Sequence, residues 1–300
     1  MIHLLFKDYD QLFEEAAARW EDVVTGDLND ATGVAGTDWF NDYFPSRMLP
    51  NGVYDGDVDD LVIGYAFLPG SYFASNRTLG SASAREWRPG TNLPISGTMI
   101  FNTDSSIGTR YTSTDVKALI IHEIGHILGA VSTSRTGRRC APDCHASNGF
   151  NATWNGTACP RALEEYANLG LKTQVHGFPL LVQNITEPGM RYPGNACGHW
   201  HDCSLTIWPS IDDCYGNWNG VIAREIMSWS LWPGIESPLS TVTIALLEDF
   251  GYTVDYSAAD PWPDEAFPDG STPTRRLNTR HVPLVPDHII DFSLMVHDDL

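Results

Sequence analysis

The sequence predicts an α+β fold, and three observations carry that reading. Short β-rich apolar runs alternate with helical periodicity through the first 130 residues. Two long amphipathic segments, near the start and around residue 120, have helix length and helix punctuation. Beyond residue 131 periodicity fades into a Cys-, Gly-, Asn- and Pro-rich stretch. The expected architecture is therefore a twisted mixed sheet with two long helices, followed by an irregular subdomain tied by disulfides.

Taken in order, Ile2 to Phe6 is an apolar run of strand length. The segment from Asp10 to Val24 places Leu12, Phe13, Ala16, Ala17, Trp20, Val23 and Val24 on one helical face, and Gly26 stops it. Leu61 to Leu68 reads as a buried strand between Asp59-Asp60 and Pro69-Gly70. Gly97 to Asn102 sets Met99 and Phe101 against Thr98 and Ile100, the alternation of a second strand. A helix begins at Thr114 as N-cap, with Asp115 in its first turn, and runs to Gly129. Residues 132–221 form the irregular region, broken by one helical stretch from Arg161 to Leu169. A last helix is signalled by Pro238, the cap Ser240, and Val242, Ala245, Leu246 and Phe250 before Gly251. From Pro261 the composition shifts to Pro, Asp and Arg, which offers little to bury and reads as a wrapped or partly ordered tail. The domain reading is 1–260 as one domain (subdomains 1–130 and 131–260) and 261–300 as the tail.

Composition narrows the function. The 300 residues carry 18 basic and 38 acidic side chains, a formal net charge of −20, so phosphate backbones and anionic lipid are repelled. Nucleic acid is excluded as a partner, and no apolar run is long enough to span a membrane. Six cysteines, Cys140, Cys144, Cys159, Cys197, Cys203 and Cys214, cluster within 75 residues of one another without the C-x₂-C spacing of a cysteine zinc site, which favours three local disulfides. Sequons at Asn76, Asn151, Asn155 and Asn184 agree with a secreted or extracellular glycoprotein. The opening MIHLLFKDYD is too short and too soon acidic for an export signal. Asp55 to Asp60 lacks the Gly and Glu of an EF-hand loop and reads as an acidic solvated turn.

The chemistry sits in His122-Glu123-Ile124-Gly125-His126. On a helix, residues four apart share a face, so two imidazoles can bind one Zn²⁺ while Glu123 reaches a zinc-activated water. A shuffled chain of this composition would produce His-Glu-x-x-His roughly once per hundred sequences, so the motif is informative. A catalytic zinc needs a third protein ligand. His145, His176, His199 and His201 are candidates; a thermolysin-like arrangement would use Glu164 or Glu165 instead, and spacing leaves both open.

A wider resemblance bears on that choice. HEIGHILG, Gly198-His199-Trp200 and Arg224-Glu225-Ile226-Met227-Ser228 resemble the leishmanolysin family of metzincin zinc peptidases. Similarity continues through Ala17 to Trp20, Thr25 to Leu28, Asp59 to Ile63, Asn92 to Met99, Leu247 to Tyr252 and Ala258 to Pro261, in order over about residues 10–262. The resemblance implies His122, His126 and His199 as zinc ligands, Glu123 as general base and Met227 as the Met-turn residue beneath the metal. It also implies a zinc cleft between the two subdomains. The strand containing Gly97, Thr98, Met99, Ile100 and Phe101 would form the cleft's upper rim, pairing with substrate as an added strand. The implied activity is hydrolysis of peptide bonds in proteins or peptides. The alternative is an inactive metzincin-fold binding or adhesion module with structural zinc. Departures from the family pattern are Trp229, where some metzincins have a tyrosine two residues past the methionine, and His201, which could compete with His199.

Overall fold

The fold is α+β, with a four-stranded mixed sheet, in a computed structural model that describes residues 3–32, 57–73, 78–103, 111–131, 159–168, 199–200, 225–228, 234, 236–261 and 292–297. The chain divides into two compact units, residues 1–128 with 279–300, and residues 129–278.

In the first unit, helix α1 (His3–Glu21) precedes strands β1 (Leu61–Leu68), β2 (Gly80–Trp87) and β3 (Pro94–Asn102), helix α2 (Ser113–Leu128) and strand β4 (Phe292–His297). The sheet order is β2-β3-β1-β4. β1 and β3 are parallel, and β2 and β4 run antiparallel on the outside. β1 is buried along its whole length, as expected of an inner strand covered on both faces. It occupies the residues that the apolar run predicts.

The helices are held by a small set of contacts. The α1 stripe Leu12, Phe13, Ala16, Ala17 and Trp20 is buried, together with Val23 and Val24 just beyond it. Phe13 stacks on Tyr65 at 3.7 Å between ring centroids and meets Phe67 and Phe101 edge-on. The Trp20 indole N–H donates to the carbonyl of Ile121 at 2.9 Å, fixing α1 against α2. α2 lies so near the sheet that a Cβ at either of two glycines would force a side chain of the helix to shift. A Cβ on Gly97 would stand 2.4 Å from Ile127 Cγ2, and one on Gly80 would stand 2.5 Å from Glu123 Oε1.

The structure departs from the sequence reading at several places. Of the run Ile2 to Phe6, the described residues from His3 onward are not a strand but the first turn of α1, because a short apolar run carries no period of its own and joins the helix that follows. The cap of α2 is Thr112 rather than Thr114. Thr112 Oγ1 accepts from the Asp115 N–H at 3.2 Å, and Asp115 Oδ2 accepts from the Thr112 N–H at 2.7 Å, a reciprocal capping box with Asp in the third position. The acidic turn is only partly solvated. Asp60 is buried and accepts from the Leu28 N–H at 2.8 Å, and burial raises its pKa. Arg88, also buried, donates to the carbonyls of Asn29, Asp59, Asp60 and Pro94, tying that turn to the β2–β3 hairpin. The tail beyond residue 260 supplies β4, which pairs with β1 from Leu61↔His297 to Ala66↔Phe292.

In the second unit, helix α3 (Pro160–Asn168) begins at the carboxylate of Asp249, which accepts from the N–H groups of Arg161 and Ala162. Helix α4 (Thr241–Phe250) starts at Ser240, whose hydroxyl accepts from the Thr243 N–H, and ends at Gly251 with φ 110°, where a Cβ would be strained. Leu239 and Asp260 exchange main-chain and side-chain bonds, closing the segment around α4. Cys159, the one cysteine among the described residues, is disulfide-bonded. The other five cysteines and all four sequons lie outside the described residues.

Replacing Gly97 with Ala should lower stability by about 1–3 kcal/mol, the range for overpacking a filled interior. Chemical denaturation reads this directly; an unchanged midpoint would mean that α2 and β3 do not approach as closely as 2.4 Å implies.

Candidate metal centre

The site is built on α2. The helix is apolar where it meets the sheet, so Ile120, Ile124, Ile127 and Leu128 are buried. His122 and His126 are one turn apart on it, with ring centroids 4.5 Å apart and planes at 85°. His126 is buried and His122 partly so. At the helix end, Gly129 has φ 106°, a conformation L side chains rarely adopt, and the chain turns away there.

His199 completes the group. His122, His126 and His199 each offer one ring nitrogen, and these atoms lie within 4.8 Å of one another. Three imidazoles in such reach could hold a metal ion. Of the alternative ligands, Glu164 is exposed and pairs with Arg161, and Glu165 accepts from Asn168, so neither stands with the histidines. His145, His176 and His201 lie outside the described residues.

Glu123 is buried beside His122, against the backbone of Gly80, and its Oε2 has no hydrogen-bond partner among the described residues. Loss of hydration pushes its carboxyl up to about 8. An unpaired buried carboxylate is costly, and such groups ordinarily pair or coordinate. A divalent cation nearby opposes that shift by favouring the charged form.

Met227 is fully buried. Its N–H donates to Glu225 Oε2 at 2.5 Å, and its carbonyl accepts from the Trp200 N–H at 3.0 Å. Trp200 and Ser228 form a parallel bridge, so the residue following His199 is tied to the Met227 turn. Glu225 is the group that the sequence reading left without a role. It is buried, and besides Met227 it accepts from the Ser240 N–H, the Ser240 hydroxyl and the Thr243 hydroxyl. Burial pushes its carboxyl up to about 7 against the pull of these bonds. The signal was present in the Glu225-Ile226-Met227 segment, but nothing in sequence spacing says that Ser240 and Thr243 come to meet it.

The expectation for Gly97, Thr98, Met99, Ile100 and Phe101 is corrected. These residues belong to β3, an inner strand bonded to β1 on one side and β2 on the other, so its main chain has no edge left for a peptide. The edge on that side of the sheet belongs to β2. A second acidic group, Asp27, Asp59 and Asp60, also brings one oxygen each within 4.8 Å.

No helix among the described residues is long and apolar enough to cross a membrane. No family model matches the chain, and no curated protein matches it.

The Glu225 carboxyl titrates near 7 in the fold and near about 4.3 in an unfolded chain. A raised acid holds its proton longer in the native state, so its contribution to stability is present below about pH 4.3 and lost as pH rises through the folded value. The metal-free parent should therefore lose stability relative to Glu225→Gln between about pH 5 and about pH 8. A constant difference in unfolding free energy across that interval contradicts the assignment.

Proposed function

We propose that the chain is a zinc-dependent endopeptidase of the metzincin type, similar to the leishmanolysins, acting on proteins or peptides outside the cell. The observation that carries this reading is the convergence of His122, His126 and His199 with the desolvated carboxylate of Glu123 next to the first of them. His122, His126 and His199 would hold the metal through one ring nitrogen each. Bound there, Zn²⁺ supplies Lewis acidity that makes water a stronger acid and polarises a peptide carbonyl.

The chain's own groups account for the remaining requirements. Glu123 Oε2, with no other partner among the described residues, accepts the proton of the attacking water and returns it to the leaving amine nitrogen. Burial of Glu123 excludes bulk solvent from that transfer. A peptide adds to the sheet at β2 rather than β3, because β2 is the edge strand, and Gly80 brings its main chain against Glu123. A binding module that kept zinc for structure would have little use for a buried carboxylate with one oxygen unpartnered among the described residues, since desolvating it costs free energy.

Glu123→Gln should keep one zinc per chain and lose cleavage of a denatured protein substrate by on the order of 10²–10⁴-fold, the usual contribution of a general base. Equal cleavage by parent and variant would sink the reading; zinc in both with cleavage in neither would favour the binding module. Gly80→Ala gives a second check. Its methyl would displace the Glu123 carboxylate, so cleavage should fall about tenfold or more while zinc content stays. Zinc retained in full by His199→Ala would return the third ligand to a carboxylate.

A further inference from the structure

We propose that Glu225 is a positioning residue, whose carboxylate orients the Thr243 hydroxyl and thereby holds the Trp200 indole, setting where the adjoining His199 lies. The consequence for metal binding rests on the zinc reading above; the coupling of Glu225 to Trp200 does not.

Helix capping does not explain Glu225. The first turn of α4 already has its cap in Ser240, whose hydroxyl oxygen accepts from the Thr243 N–H. Glu225 lies behind that cap and is buried, which costs several kcal/mol unless donors replace the lost solvent. Four do, and they differ in what they connect. Ser240 offers its N–H and hydroxyl at 3.1 and 3.0 Å. The other two lead to Trp200.

The first route runs through a side chain. A threonine hydroxyl has one proton and two lone pairs. Thr243 gives its proton to Glu225 Oε1 at 2.5 Å, so only lone pairs remain for the Trp200 Nε1–H, which donates to the same oxygen at 3.0 Å. Thr243 and Trp200 are fully buried, and water does not substitute for either partner. The acceptor behind Thr243 thus fixes the hydroxyl rotor, and with it the direction of the lone pairs that meet the indole. The second route runs through main chain: the Met227 N–H donates to Glu225 Oε2, and the Met227 carbonyl accepts from the Trp200 N–H. Side chain and backbone of Trp200 are therefore referred to one carboxylate. His199 is the next residue back along the chain, joined through a planar peptide that leaves few soft torsions between them. An error in where Trp200 sits is passed on to the imidazole, and metal affinity depends steeply on ligand placement.

The test compares the parent with Glu225→Gln, Thr243→Val and Thr243→Ser, using Zn²⁺ affinity by chelator competition and hydrogen exchange of the Trp200 indole N–H in metal-free protein. Glu225→Gln keeps one oxygen but turns an NH₂ group toward another donor. Thr243→Val removes the relay at nearly constant shape, and Thr243→Ser restores it. Zn²⁺ affinity should fall about ten- to a hundredfold in Glu225→Gln and Thr243→Val, with indole exchange faster in both, and both readouts should return in Thr243→Ser. A stability role alone would lower the unfolding midpoint and leave the affinity of the folded protein untouched. Should Glu225→Gln fail to fold, the Val and Ser variants carry the comparison. Parental exchange and parental affinity in folded Glu225→Gln, or in Thr243→Val, overturn the proposal. If the parent itself binds no Zn²⁺, the zinc reading falls, and indole exchange alone decides the coupling: faster in Thr243→Val and restored in Thr243→Ser upholds it, unchanged overturns it.

Discussion

The first unit depends on how closely α2 approaches the sheet. Gly97 lets Ile127 settle onto β3, and Gly80 lets the Glu123 carboxylate lie against β2. The two contacts are four residues apart along α2, on the helix that carries both His122 and His126. The packing that buries the apolar face thus also fixes the rotation of the helix about its axis. Once that rotation is set, the histidines have no freedom to turn toward the sheet, and Glu123 has none to turn away. The Trp20 bond to the Ile121 carbonyl locks the opposite side of the same turn. A helix docked one side chain further out would keep its hydrophobic burial in large part and lose this alignment.

Two buried carboxylates, Glu123 and Glu225, illustrate opposite uses of the same cost. Glu225 is surrounded by donors, and its two oxygens are spent on holding main chain and hydroxyls in place. Glu123 has an oxygen with no partner among the described residues, and its proton affinity is raised by desolvation alone. A satisfied carboxylate is a structural anchor. In the proposed function, an oxygen left unsatisfied next to His122 is what would move a proton, and this contrast underlies the different roles proposed for the two residues.

Much of this was legible in the sequence, for physical reasons that differ between elements. Leu61–Leu68 was readable because a strand buried on both faces is a continuous apolar run, and α4 because Ser240 and Gly251 punctuate it. β2 was missed because Gly-Ser-Ala-Ser-Ala-Arg-Glu-Trp lacks the β-branched residues of an inner strand, as suits a half-buried edge. The rim role of Gly97 to Phe101 rests on the family resemblance, and it is β2 that takes the place outside that strand. Thr114 stands nearer the apolar run than Thr112, and only the reciprocal bond with Asp115 identifies Thr112 as the cap. His122, Glu123 and His126 followed from helical spacing alone, while His199 needed the family resemblance, because nothing local marks a ligand brought from far along the chain. Glu225 lay beyond either approach, for its partners Ser240 and Thr243 are identified only by the fold.

The most direct measurement is X-ray absorption at the zinc edge on protein loaded with one equivalent of Zn²⁺, for the parent and for His199→Ala. The parent should give imidazole scattering from three nitrogens at about 2.0–2.1 Å with one solvent oxygen, and His199→Ala should give two imidazoles. Sulfur scattering at about 2.3 Å, or the same imidazole count in both proteins, would contradict the His122, His126 and His199 centre on which the account stands.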